Sequence, residues 1–326
     1  MRFRNICLAL PVLAALFITV GCGDNRKNSA GAGGRLVVCS GLPPVAYLAS
    51  AVGGGRVESK SVLPEGRSPH DYSPGPREIG DVMSAKLFFT TGMNFENIVG
   101  RPIDPKQTRV VDVTGGVKRI PFDGDHDDDC DEHDHHHDAK HDAKEAAHEE
   151  HEHEHEHEHG ALDPHVWLSA DNAAVIAANI AKALTEADPQ GAAVYAANLA
   201  AVKKTLAGSL AYAKQELAPY AGREFFVYHP AFGYFAKSVG LKQVGIELGG
   251  REATPARLAE VIRAAREHKV KVVFVQPQFN PNSARALGDA IGGKVAGLNP
   301  LAGDIPANIR AMTDALKEGF SAGGKE

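Results

Sequence analysis

Two periods of apolar residues run along the chain. Short, nearly continuous apolar runs at 36–40, 56–63, 87–90 and 109–113 read as strands. Between them, 43–52 and 76–84 carry helical spacing, and each opens on a proline, a residue suited to the first helical turn. Such alternation of strand and helix is the signature of a parallel sheet flanked by helices. Residues 171–185 are rich in Ala, Ile and Val at helical spacing. After an interruption at Asp188-Pro189, a second helical pattern runs from 191 to 217, near 27 residues, until Pro219 and Gly222 stop it. At 1.5 Å per residue that helix would be about 40 Å long, a stiff strut. Alternation then resumes, with strands expected at 224–228, 242–248, 270–275 and 294–298. Helices are expected at 231–239, 255–268 and 281–291, the second with Thr254 as a natural N-cap. The expected fold class is therefore α/β: two parallel-sheet α/β lobes joined by one long helix.

Segments outside this pattern carry other meanings. Arg2 and Arg4 precede an apolar run at 6–20, fifteen residues that end in small ones before Cys22. Fifteen are too few for a hydrocarbon core that needs about 20, so the run reads as an export signal. Thr19-Val20-Gly21-Cys22 resembles a lipobox, in which Cys22 would be lipidated and become the first mature residue. The organisation expected is a signal segment at 1–22, a flexible tether at 23–34, and a first lobe at 35–170 with a disordered insertion at 123–160. A helical segment at 171–221, holding the long helix at 191–218, and a second lobe at 222–326 follow.

The overall charge of −6 hides a strong asymmetry. Residues 123–159 hold 17 acidic residues against Lys140 and Lys144, a local charge of −15, so the rest of the chain carries +9. The acidity belongs to one segment and says nothing of an acidic fold. No basic, aromatic-interleaved stretch points to nucleic acid. The apolar share of 43% and charged share of 23% are those of a globular protein. Four cysteines make no disulfide framework: Cys7 and Cys22 belong to the signal, Cys39 lies in an apolar strand as a core thiol, and Cys130 sits in the acidic insertion.

Histidine is the informative residue. Of 16, twelve fall between His126 and His159, leaving His70, His165, His229 and His268 in the patterned sequence. His268 ends a helix beside Lys269, where a solvated residue favoured by the helix dipole is the simplest reading. His70 follows the second strand and His229 follows the 224–228 strand directly, at the strand ends where ligands collect in open α/β sheets. Pro69 and Pro74 stiffen the loop of His70, and Pro164 that of His165. Three imidazoles suit Zn²⁺, with an oxygen in the fourth position. Spacing alone leaves open that these are ordinary surface or core histidines.

Three motifs narrow the choice. Pro69-His70-Asp71-Tyr72-Ser73-Pro74, Asp163-Pro164-His165-Val166-Trp167 and Tyr228-His229-Pro230-Ala231-Phe232-Gly233-Tyr234-Phe235 resemble, in order and spacing, the histidine motifs of the ZnuA-type family. These are the metal-binding proteins of zinc and manganese ABC importers, the cluster A-I class. The likeness runs from about 35 to 320 and includes an acidic, His-rich insertion before the second motif. Arg251-Glu252-Ala253-Thr254-Pro255 and Gln276-Pro277-Gln278-Phe279 resemble further landmarks. The resemblance implies Zn²⁺ as transported ligand, held by His70, His165 and His229 in the interlobe cleft of a monomer, and handed to a membrane permease. Manganese members place a carboxylate at the third position, so His229 favours zinc. Asn299-Pro300-Leu301 departs from the family's Asp-Pro-Leu, whose Asp is a ligand in some members, and Gln276 stands where Glu is common. That leaves water, Glu65 or Asn299 for the fourth position, water being favoured.

The insertion alternates His and Glu from His151 through His153, His155 and His157 to His159, and adds His133, His135, His136 and His137. Such tracts bind zinc and nickel, and the expectation is low-affinity capture dispensable for tight binding. Roughly 37 flexible residues span on the order of 30–36 Å, enough to reach a cleft mouth. Two other classes compete. A zinc hydrolase would need a general base by the bound water, and no His-Glu-x-x-His pairing is present. A zinc chaperone or sensor would work mainly through the insertion.

Overall fold

Two four-stranded parallel sheets organise the protein, whose computed structural model describes residues 34–122, 162–247, 255–268, 270–279 and 281–322. The export signal with Cys22, most of the tether, the insertion with His133 to His159, Cys130 and the cap at Thr254 lie outside the described residues. In the first sheet, β1 (Leu36–Ser40), β2 (Val57–Ser61), β3 (Leu87–Thr90) and β4 (Arg109–Asp112) stand in the order β2-β1-β3-β4. The second repeats the topology: β5 (Glu224–Val227), β6 (Lys242–Gly245), β7 (Val272–Val275) and β8 (Lys294–Gly297) run β6-β5-β7-β8. Central strands are apolar on both faces because helices cover both; β7 is buried at all four positions. In each sheet the strand order reverses beside the first strand, β1 or β5, and the carboxyl ends there form the crevice that accepts ligands in such folds.

The helices are α1 (Pro43–Gly53), α2 (Pro76–Ser84), α3 (Asn94–Gly100), α4 (Ala170–Ala187), α5 (Ala192–Leu217), α6 (Gly233–Val239), α7 (Pro255–Glu267), α8 (Pro281–Ile291) and α9 (Ile305–Ala322). α5 is the long helix expected, with 26 residues. It packs on α1 and α4 of the first lobe and on α6 and α9 of the second. Two helices escaped the sequence reading. α3 is only 7 residues long, too short for a periodic pattern, while α9 buries Ile305, Ile309, Met312, Leu316 and Phe320 at helical spacing and was legible. α9 lies along α5, tied by Tyr212 Oη to Asp314 Oδ1 (2.5 Å), by the Lys317–Glu216 ion pair and by Tyr220 to Ser321 (3.0 Å). The long helix is thus seconded by another.

A shared core stiffens the join further. Phe225, Val227, Val272 and Phe274 point from the second sheet into the cluster that holds the first lobe's Val38, Leu48 and Phe89. Alternate residues Phe226, Tyr228, Val273 and Val275 face a smaller outer cluster with Val261 and Ile291. This is the period-2 alternation of strands, used to weld one face of the second lobe to the first. Cys39 lies in the core as expected, and burial pushes its thiol up to about 11.

Candidate metal centre

His70, His165 and His229 arrive from three different loops. The loop after β2 carries His70; the Tyr72 ring anchors it edge-on against Phe95, and the His70 N–H donates to Ser68 Oγ (3.3 Å). His165 precedes a single turn at Val166–Leu168 that leads into α4, where Ser169 caps the helix by accepting from the Asn172 N–H. His229 follows β5 where that strand meets β7. Gln276, at the end of β7, grips the His229 backbone from both sides: its Oε1 accepts from the N–H (3.2 Å) and its Nε2 donates to the carbonyl (2.5 Å). A glutamate there could accept but not donate, which accounts for Gln276.

The three Nε2 atoms converge. His165 Nε2 lies 3.3 Å from His70 Nε2 and 3.2 Å from His229 Nε2. A zinc ion with bonds of about 2.0–2.1 Å in tetrahedral geometry separates its nitrogen ligands by roughly 3.3 Å. The far nitrogens of the two buried rings are occupied. His165 Nδ1 is 2.8 Å from Asp163 Oδ1, and His229 Nδ1 is 2.9 Å from Glu247 Oε1. A carboxylate only accepts, so each Nδ1 carries the proton and each Nε2 turns a lone pair inward. Two inward lone pairs 3.2 Å apart, with His70 Nε2 beside them, suit a cation.

Burial fits the same reading. His165 and His229 are 2% and 3% exposed, while His70 forms the outer side, with part of its residue surface reaching solvent and its ring packed against the other two. Desolvation first, then His229 and His165, push His70 down to about 3; desolvation and His229 hold His165 well below the ordinary histidine range. Both rings therefore stay neutral, as ligands must be. Burial pushes the Asp163 carboxyl up to about 7 against the opposing His165 N–H bond, and its Oδ2 has no partner. Among the described residues, the ionic partners of Asp163 and Glu247 are the two imidazoles. Two acids this deep call for positive charge nearby, which a divalent ion on the far side of the rings would supply.

The surroundings are aromatic and tight. Trp167 and Phe279 lie 5.5 Å by ring centroid from His165 and His229, and Phe122 lies 6.1 and 6.4 Å from the same pair. Trp167 Nε1 donates to the Pro300 carbonyl (2.7 Å), and Tyr234 Oη donates to the Asp163 carbonyl (2.9 Å), so both lobes hold the site. Gly233 is required beside it, since a Cβ there would come within 2.9 Å of Asp163 Oδ2. The cavity at the histidines is about 10 Å³, space for one ion or water. A larger cavity of about 680 Å³ opens alongside, with no histidine among the described residues of its wall.

Water, Glu65 and Asn299 were the expected candidates for the fourth position. Asn299 lines the larger cavity, and its Oδ1 already accepts from Gln278 Nε2 and the Leu301 N–H, both at 3.0 Å. Glu65 is exposed and absent from the histidine cavity's wall. His268 pairs with Glu224 at the opposite end of β5, apart from the cluster as expected. Sequence reading missed Asp163 as a partner of His165, although it stands two residues away. It also missed Glu247, a lone acid after β6. Continuing the register from the Val227–Gly245 pair sets Glu247 opposite His229, which was the available signal.

Fold and cluster together define a two-lobed substrate-binding protein with a candidate site for one divalent cation in its cleft. The chain belongs to the ZnuA family, zinc-uptake complex component A, periplasmic, whose profile matches residues 37–319. It is 36% identical to the high-affinity zinc uptake system protein ZnuA of Haemophilus ducreyi over 288 residues, 86% of this chain and 89% of that one. Identity to the ZnuA of Brucella suis biovar 1 is 34%, over 95% and 97% of the two chains. Among solved structures, a ZnuA deletion mutant with zinc bound matches with a TM-score of 0.73 and 27% identity, over 88% and 98% of the chains. The family is one of metal-binding transport components, not enzymes, and this sets aside the hydrolase. No helix among the described residues is long and apolar enough to cross a membrane.

Proposed function

We propose that the chain captures one Zn²⁺ on His70, His165 and His229 and delivers it to the membrane permease of an ABC importer. The observation that carries this reading is the set of Nε2 separations, 3.2 and 3.3 Å, which match the edge of a tetrahedral zinc site. Neutral imidazoles favour zinc over manganese, which prefers carboxylate and carbonyl oxygen. The relatives named for zinc uptake and the zinc-bound neighbour support the same ion. The protein acts as a monomer on the periplasmic side of a membrane, held there by lipid on Cys22. The acidic, His-rich insertion collects zinc loosely and feeds the cleft. The described residues on either side of it are joined by a bridge between Pro121 and Leu162, next to Phe122, whose ring lies 6.1 Å from that of His165. Calorimetry with zinc and manganese checks the ion: tight zinc at one site and weak manganese are expected, and equal affinity for both would contradict the zinc assignment.

A further inference from the structure

We infer that Gln278 supplies the oxygen at the fourth position of the histidine site, and that Asn299 is the positioning residue that turns this oxygen toward it. The inference deepens the proposed zinc capture and rests on it. Gln278 lines the same small cavity as His70, His165 and His229. Its Oε1 is buried and has no hydrogen-bond partner among the described residues. An amide oxygen buried without a partner is costly, so such an atom beside three converging imidazole nitrogens calls for a ligand.

The orientation of the amide is forced. Asn299 Oδ1 accepts from Gln278 Nε2 at 3.0 Å and from the Leu301 N–H at 3.0 Å. With both lone pairs of that oxygen engaged, a flipped Gln278 would set two oxygens against each other. The Gln278 NH₂ must therefore face Asn299, and the planar amide sends Oε1 the other way. A neutral amide oxygen completes three nitrogens and one oxygen, a donor set zinc accepts, without adding charge. Asn299 thus serves the site through Gln278 rather than by touching the ion.

Cobalt(II) is the probe, because its visible d–d bands report coordination number and symmetry, alongside zinc affinity by competition and the melting temperature of the apo-protein. Gln278→Ala should weaken zinc about tenfold to a hundredfold and change the cobalt bands, with the melting temperature unchanged or raised. Gln278→Glu, which keeps an oxygen donor, should retain a four-coordinate cobalt spectrum. Asn299→Leu should shift the bands in the same direction as Gln278→Ala, by a smaller amount. Unchanged zinc affinity and cobalt bands in Gln278→Ala would overturn the inference while leaving the three-histidine site standing. If the unaltered chain shows no stoichiometric cobalt site, or if that site persists unchanged in His229→Ala, the histidine reading itself fails and takes this inference with it.

Discussion

Asp163 and Glu247 stand behind His165 and His229 at 2.8 and 2.9 Å and fix which nitrogen faces the cleft. Removing either charge while keeping the shape tests that role. Asp163→Asn and Glu247→Gln should each weaken zinc about 10- to 100-fold, the usual effect of such partners, as measured by competition with a chelator. Affinity within threefold of the unaltered protein would show that the rings are oriented by packing alone. At this scale the sequence was legible for the ligands and not for their supports. The three histidines stood out because they were scarce outside the insertion and proline-flanked. Glu247 did not, because its meaning lies in the strand beside it. Asn299 stands at a motif position that suggests a ligand, and in the fold its oxygen accepts from Gln278 and Leu301.

Elements are held by a few buried polar devices. Glu96 in the first turn of α3 accepts from the N–H groups of Thr91, Gly92 and Met93 at 2.8–2.9 Å and packs against Gly41, where a Cβ would lie 1.8 Å from its Oε1. This joins the carboxyl ends of β1 and β3. Glu96→Ala strands three donors and should cost about 3 kcal/mol or more in chemical denaturation; a loss below about 1 kcal/mol would mean that water replaces the carboxylate. At the α4–α5 junction, Asp188 accepts two bonds from Arg56 (2.8 and 2.9 Å) and one from Tyr195 (2.6 Å). Arg56 first, then Tyr195, hold its carboxyl below the usual carboxylate range. A depressed carboxylate stabilises fully above its unfolded value of about 3.9 and loses that contribution as pH falls below it. Asp188→Asn should therefore lower the melting temperature by a few degrees at neutral pH, with the gap closing below about pH 4; a gap constant down to pH 2 would contradict the ionic account. Element type was readable in the long pattern of α5 and the unbroken apolar run of β7, although the equally periodic α9 escaped the sequence reading. It failed for α3, whose seven residues are organised by one glutamate rather than by periodicity.

The whole molecule is joined by the α5–α9 pair and by a core that continues from one lobe into the inner face of the other. Opening the cleft widely would break Trp167 to Pro300 and Tyr234 to Asp163 as well as this core. Zinc should therefore order the loops around His165 and His229 and leave the lobes nearly fixed. Small-angle scattering of free and zinc-loaded protein should give the same radius of gyration within error, and a clear contraction would point to a hinge instead. The lobes were legible from strand–helix alternation; the second join was not, because it depends on α9 returning to lie on α5. The central claim is a single cleft site independent of the insertion. Competitive zinc calorimetry on the chain without residues 1–22, and on the same chain with a short turn replacing 123–161, tests it most directly. One tight zinc site that survives the deletion and is lost in His229→Ala is the predicted result. Tight binding that disappears with the insertion, or persists in His229→Ala, would contradict it.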